Sequence, residues 1–255
     1  MAARACVVFF HAHPDDEAIF TGGTLLRLAA EGHRTVVVFA TNGDADPAGP
    51  LAATRMAEAR AACEALGVAR VEFLGHGDSG LTAAEASARS FWRADPAAVV
   101  SALRDVLRQE AADALVLYDA GGIYGHPDHI AVHRHGTAAA AAAGTTTVYE
   151  STVDREYLHF VATHLVGHAV QSLLGMEIAA TNTAPLGVPT VEVSCTVDVR
   201  HLAAVKRAAM AAHSSQIPPD SEALTMTHDT FEGVYGFEWY VRASGPRHVI
   251  DDLAF

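Results

Sequence analysis

Hydrophobic and polar positions divide the first 150 residues into two kinds of block that alternate. The first kind is short and continuously apolar: "ACVVFF", "TVVVFATNGD", "RVEFLGHGD", "ALVLYD" and "TTVYEST". A strand with one wet face would alternate; continuous runs predict strands covered on both faces, as in a parallel sheet. The second kind is longer and helical in spacing: "DEAIFTGGTLLRLAAEGH", "LAATRMAEARAACEALGV", "PAAVVSALRDVLRQEAADA" and "HIAVHRHGTAAAAAA". The alanines of "AAAAAAG" at 138–144 fit a tight helix against the sheet, because alanine is the best helix former. Strand-then-helix order repeated in this way predicts an α/β protein of Rossmann-like, doubly wound architecture, with a mainly parallel sheet and helices on both faces.

Beyond residue 150 the pattern loosens. The segment 160–190 has no clear period, and "NTAPLGVPT" reads as a loop. "VEVSCTVDV" then reads as a late strand and "RHLAAVKRAAMAAHSSQ" as a late helix. With 255 residues, half of them apolar, one substantial core is expected. The expectation is a single domain over 1–255 with C-terminal additions from about residue 150.

Charge and cysteine content narrow the partners. The formal charge is −13 and there is no Lys/Arg cluster, which argues against a nucleic-acid or anionic-membrane surface. A small anionic substrate is not forbidden. No apolar run approaches the ~18 residues of a membrane span. A histidine-and-acid cluster stands where a signal peptide would carry small residues and a cleavage site. Cys6, Cys63 and Cys195 form no CxxC pair and read as small buried residues in a reducing compartment. The expectation is a cytoplasmic protein acting on a small molecule, with homo-oligomerisation left open.

Candidate chemistry gathers at the strand ends. "HAHPDDE" follows the first strand, "TNGD" the second, "GHGDSG" the third and "YDAGGIYGHPDH" the fourth. In an open parallel sheet those ends share one edge, where ligands bind. A GxGxxG after the first strand is lacking, so a dinucleotide site is unsupported. "HPDD" at 13–16 and "HPDH" at 126–129 are near copies. Proline restricts itself and the residue before it, so each turn holds its side chains in a set direction. Imidazoles and a carboxylate around a divalent ion, with one position open, make a catalytic zinc site. Spacing alone leaves open which acids bind metal and which do chemistry.

"AHPDDEAIFTGGTL" together with "GGIYGHPDHIAVH" resembles the LmbE/PIG-L-type zinc deacetylases. "ATNGDAD", "RMAEARAACEALGV", "GHGDSGL" and "KRAAMAAHSSQ" extend the resemblance, most closely to the mycothiol-pathway deacetylase and amidase branch. The resemblance implies zinc ligands at His13, Asp16 and His129 and a general base at Asp15. It also implies that His126 stabilises the oxyanion, that Asp128 orients it, and that Tyr124 polarises the substrate carbonyl. An imidazolium at His126, favoured by Asp128, would suit that task. Arg55 and Asp78 match positions that hold a sugar-type substrate. A His/Asp site also tolerates Fe2+ or Co2+.

The implied activity is metal-dependent removal of an N-acyl group, acetyl by preference, from an amino-sugar-containing small molecule. The alternatives are an amidase acting on a larger conjugate, such as a mycothiol S-conjugate, and a non-catalytic metal- or carbohydrate-binding protein. Glu17 is read as a support for a metal ligand or as a helix cap. His11 shares a strand face with His13 and could line the site. His133 shares a helical face with His129, and a solvated helix turn is favoured over a second metal site. His213 has two readings, one near the pocket and one as a helix C-terminal residue. His33, His76, His159, His164, His168, His201, His228 and His248 read as surface or loop positions.

Overall fold

The computed structural model describes residues 4–84, 86–163 and 186–253. Strands β1 (Cys6–His11), β2 (Arg34–Thr41), β3 (Arg70–His76), β4 (Ala114–Tyr118) and β5 (Thr147–Thr152) run parallel. Strand β6 (Cys195–Asp198) pairs antiparallel with β7 (Phe237–Ser244), which pairs antiparallel with β5. The seven-stranded sheet has the order β3-β2-β1-β4-β5-β7-β6. The expected doubly wound, mainly parallel sheet is what forms. Its centre is the driest part: Val7, Val8, Phe9, Phe10, Ala114 and Leu115 have no exposed surface. Continuous apolar sequence is required there because each face of β1 and β4 meets packed side chains.

The helices between strands are α1 (Asp16–Phe20), α2 (Gly22–Ala30), α3 (Pro50–Ala65), α4 (Pro96–Gln109), the single turn α5 (Gly122–Gly125) and α6 (Pro127–Ala143). After β5 come α7 (Arg155–Val161) and, later, α8 (Ala203–Ala212). Helix α4 packs on α6, whereas α1, α2 and α3 pack against α8. Right-handed crossovers put these two groups on opposite faces of the sheet. Local signals set the ends: Asp95 accepts the Ala97 amide at 3.1 Å with Pro96 in the first turn of α4.

Two expectations need correction. "DEAIFTGGTLLRLAAEGH" is two helices, α1 and α2, broken at Thr21. The Thr21 hydroxyl donates to the Glu17 carbonyl at 3.2 Å and pairs with His11 Nε2 at 3.0 Å. The new N-terminus of α2 is closed from a distance, because Glu238 of β7 accepts the amides of Gly23 and Thr24, both at 2.8 Å. The late sheet also differs: only Cys195–Asp198 of "VEVSCTVDV" is a strand, and β7, unread in the sequence, lies between it and β5. The histidines at 164 and 168 and the first part of "NTAPLGVPT" lie outside the described residues.

Glu238 is itself paired. Lys206 Nζ of α8 stands 2.5 Å from Glu238 Oε1, and both side chains are 1% exposed. Removing one partner of such a buried pair strands the other charge. Lys206→Met is therefore expected to lower unfolding stability by about 3–5 kcal/mol in urea titration. An unchanged midpoint would show that the pair does not support the α2 terminus.

Candidate functional site

The strand order explains why the two His-Pro-Asp segments meet. From β1 the chain moves outward to β2 and β3; from β4 it moves the other way to β5. The loops after β1 and β4 therefore part at a topological switch point, and a crevice opens between them. His13, Asp15 and Asp16 line one wall, and Tyr124 and His126 the other. Gly122 sits at φ +64, and a Cβ there would lie 2.8 Å from His129 Cβ, so only glycine lets the β4 loop close onto α6. Its neighbour Ile123 also has positive φ (63), a strained state for a β-branched residue. The Ile123 amide is held by Asp119 Oδ1 at 3.1 Å.

Asp16 joins the two walls. Its Oδ2 accepts the His13 amide at 2.8 Å and stands 3.4 Å from both His13 Nδ1 and His129 Nε2. Burial opposes its ionisation, yet His129 and His13 outweigh burial and hold the carboxyl well below its ordinary range. His13, His126 and His129 offer nitrogens mutually within 4.8 Å. His129 has no exposed surface, and neither ring nitrogen has a hydrogen-bond partner. A fully buried imidazole without partners is costly unless something else completes it. A divalent metal fits the chemistry of these donors: three imidazoles offer nitrogens close together, and Asp16 Oδ2 stands 3.4 Å from two of the rings. Tyr118 stacks on the His129 ring (centroids 4.3 Å apart, 18° between planes). Sequence reading did not single out this tyrosine.

Asp15 adjoins Asp16 but points elsewhere. Its backbone stands at φ 120, ψ −31, in the sparsely populated positive-φ region. Several partners hold it there. The Asp15 amide donates to Glu17 Oε2 at 2.9 Å, and Glu17 Oε1 is 2.6 Å from His213 Nε2. Glu17 and His213 have fully buried side chains. Arg55 Nη2 donates to Asp15 Oδ2 at 3.1 Å and to the Pro14 carbonyl at 2.7 Å, while Nη1 donates to the Gly43 carbonyl at 2.7 Å. Gly43, in "TNGD", has φ +81, and a Cβ there would lie 2.6 Å from Arg55 Nε. That glycine makes room for the guanidinium. Burial, together with the neighbouring Asp16, outweighs Arg55 and pushes the Asp15 carboxyl up to about 6. Arg55 and Glu58, three residues apart on α3, do not pair. Arg55 is buried, and Glu58 bonds Ser214 and Ser215 instead.

Asp128 meets His126 through its backbone. His126 caps α6, its Nδ1 accepting the Asp128 amide at 3.1 Å. The Asp128 carboxylate finds its hydrogen bonds elsewhere. It accepts the Ser79 amide at 2.9 Å, bonds the Ser79 hydroxyl, and pairs with His13 Nε2 at 3.1 Å. Asp128 therefore orients His126 through its backbone and His13 through its side chain. The expected imidazolium at His126 is also disfavoured: burial, then the nearby His13 and His129, lower it to about 3. His13 shows the opposite outcome. Burial disfavours its charged form, but Asp78, Asp128 and Asp16 overcome that and hold it well above its usual value.

His13, Asp15, Asp16, Tyr124 and His126 line a cavity of about 710 Å³. Arg55 and Asp78 line it as well. Asp78 Oδ1 is 3.6 Å from His13 Nε2 and accepts the Gly80 amide at 2.9 Å. Tyr124 turns its ring edge towards His129 (centroids 4.9 Å). His129 and Asp128 sit behind this lining, fully buried.

Other histidines resolve differently. His11 does not line the cavity: its Nδ1 pairs with the Tyr118 hydroxyl at 2.9 Å, its Nε2 with Thr21, and burial lowers it to about 4. His133 pairs with the Tyr118 carbonyl at 3.0 Å and does not join the cluster of His13, His126 and His129. His33 is anchored rather than loose, its Nδ1 accepting the Ala5 amide at 3.1 Å. His228 is exposed, as expected. Among the described residues, no helix is long and apolar enough to cross a membrane.

Fold and site together define a doubly wound α/β protein with a candidate metal centre at its switch point. Residues 8–140 match the family described as PIG-L, GlcNAc-PI de-N-acetylase, and the chain belongs to that family. It is 32% identical, across 94% of this chain and 85% of the relative, to a 1D-myo-inositol 2-acetamido-2-deoxy-alpha-D-glucopyranoside deacetylase of Salinispora arenicola. Among solved structures it is similar to the N,N'-diacetylchitobiose deacetylase of Pyrococcus horikoshii (TM-score 0.56, 22% identity, 92% of this chain and 82% of that one). It is also similar to GalB, the 4-carboxy-2-hydroxymuconate hydratase of Pseudomonas putida KT2440 (TM-score 0.57, 16% identity, 96% and 98%). These two likenesses are of fold, and the fold hosts more than one reaction.

His129→Phe tests the candidate metal site. The ring keeps its stack on Tyr118 but leaves Asp16 Oδ2 facing one imidazole instead of two. Metal content by elemental analysis is expected to fall to background, and retention of the ion would remove His129 from the candidate ligands. The metal-free protein is expected to lose about 1–3 kcal/mol of stability, because a buried carboxylate loses a partner.

Proposed function

We propose that the protein is a zinc-dependent hydrolase that removes the N-acetyl group of an amino-sugar-containing small molecule. The observation that carries this reading is the unpartnered, fully buried His129 beside Asp16 and His13, with a constrained Asp15 on the cavity side. The curated relatives, named as deacetylases of an acetamido sugar, support the acyl group and substrate class. His13, Asp16 and His129 would hold the zinc; Fe2+ or Co2+ would suit the same donors. When bound, the ion supplies Lewis-acid polarisation of the amide carbonyl and acidifies water.

The chain's own residues then divide the work. Asp15 takes a proton from the attacking water as the oxygen bonds to the acyl carbon. The same carboxyl returns the proton to the nitrogen as the C–N bond breaks, giving acetate and a free amine. A neutral His126 whose Nδ1 is occupied by the Asp128 amide carries its proton on Nε2. From there it can donate to the developing oxyanion. Tyr124, kept protonated by burial, is a second donor for the carbonyl oxygen. Asp78 accepts from sugar hydroxyls. Arg55 acts chiefly by fixing Asp15.

Acetate release from N-acetylglucosamine glycosides, measured with zinc and after chelation, tests the reading. Loss on chelation and recovery on adding zinc are expected. No release from any N-acetyl amino sugar in the zinc-loaded protein would overturn it. Asp15→Asn is expected to retain metal and lose about 10²–10⁴ in kcat. Metal lost along with activity would make Asp15 a ligand instead.

Asp78→Ala is expected to lower kcat/KM for a glycoside while leaving metal content intact, and to affect a small N-acetyl amine much less. Equal losses on both would remove Asp78 from sugar recognition.

A further inference from the structure

The cavity is larger than its chemistry needs, and its rim is built from the wrong atoms for a bare sugar. Ile19, Leu51, Leu81 and Ile217 all line it, with Met210 deeper. Leu51 and Leu81 are 41% and 37% exposed, large aliphatic side chains left facing solvent at a pocket. They come from separate elements: Leu51 from the first turn of α3, Leu81 from the loop after β3, and Ile217 from the segment after α8. Three elements thus put aliphatic groups around one opening. A polyhydroxylated ligand alone would leave them wet.

Charge at the same opening is one-sided. Asp44, Asp78 and Glu222 join Asp15 and Asp16 in the lining, and among the described lining residues the only Lys or Arg is Arg55. Its terminal nitrogens already serve Gly43, Pro14 and Asp15. A phosphate entering here would meet carboxylates and no basic side chain free to bind it.

Position says which end of the substrate is apolar. On the roles proposed above, the acyl carbon sits beside Asp15 and His126. Leu81 lies three residues beyond Asp78, and Leu51 lies beyond the β2 loop that holds Gly43. Both are on the β2–β3 side, where Asp78 would meet the sugar. The apolar group therefore lies beyond the sugar, on its glycosidic side, rather than in the acyl group.

We propose that the substrate is an N-acetylated amino sugar bearing an uncharged apolar aglycone, and that the site discriminates against phosphate at that position. This rests on the deacetylase reading above. The test compares methyl and hexyl β-glycosides of N-acetylglucosamine with N-acetylglucosamine 1-phosphate, using the zinc-loaded protein and acetate release. The hexyl glycoside is expected to exceed the methyl glycoside in kcat/KM by about tenfold or more, mainly through KM, since several methylenes become buried. The 1-phosphate should fall about tenfold or more below the methyl glycoside.

In Leu51→Ser/Leu81→Ser the hexyl-to-methyl ratio should drop to within about threefold. In Asp44→Asn/Glu222→Gln the phosphate penalty should shrink. Equal kcat/KM for hexyl and methyl glycosides, or a preference for the 1-phosphate, would overturn the proposal while leaving deacetylation standing. Calorimetry with hexyl and methyl β-glucoside, which carry no acetamide, reads aglycone preference without turnover. If no N-acetyl sugar is cleaved, the deacetylase reading fails, and equal binding of the two glucosides would then overturn the aglycone preference separately.

Discussion

One carboxylate oxygen, Asp16 Oδ2, ties the site together. It takes the His13 amide from the β1 loop and faces an imidazole from each His-Pro-Asp segment. A carboxylate this deeply buried persists only where polar partners compensate for lost water. The His13 amide and the two imidazoles that face it do so, and they fix the separation of the two walls of the crevice. The switch point of the sheet brings the walls near; Asp16 sets how they meet. The unsatisfied nitrogens of His129 belong to the same arrangement, since the ring faces Asp16 and the other imidazoles with no hydrogen-bonding acceptor of its own.

Around that centre, each reactive candidate is held from a different part of the chain. Tyr118, at the end of β4, stacks on His129 while its hydroxyl takes the Ala12 amide. Arg55 from α3 clasps Asp15 and Pro14. Ser79, after β3, anchors Asp128, which steadies His13. Glu17 and His213 secure the Asp15 amide. Supporting hydrogen bonds of this kind set the direction of metal ligands and neighbouring groups as much as the ligands themselves do. The acidity of the chain has a local counterpart here, since most charge near the cavity is carboxylate and is neutralised by imidazoles and one guanidinium.

What could be read from sequence was what depends on local pattern. "ACVVFF" and "ALVLYD" announced central strands because burial on both faces demands unbroken apolar runs. Two HPD segments after two such strands located the crevice. What could not be read depends on contacts between distant residues. Arg55 and Glu58 look like a helix-face pair at their spacing; the positive φ of Gly43 admits the guanidinium to the interior instead. Asp128 and His126 look like a dyad two residues apart, but the cap geometry of α6 spends that proximity on the backbone amide. The break at Thr21 depends on Glu238, more than 200 residues away. Strand β7 carries that glutamate inward, and a charged residue in a strand hides its burial until its lysine partner is located.

The strained backbone at Asp15 makes the motif non-portable. His-Pro-Asp-Asp-Glu reads as a compact unit, and the family match over residues 8–140 contains every candidate metal ligand. Yet His213, which secures Glu17 and through it the Asp15 amide, lies far outside that stretch. Grafted onto another scaffold, or duplicated without its distant partner, the pentapeptide would keep the ligands' chemistry and let the base relax to an ordinary conformation. Inheritance of the candidate ligands and inheritance of the Asp15 geometry are thus separable events. A descendant that replaced His213 could keep the signature intact and drift towards mere metal storage.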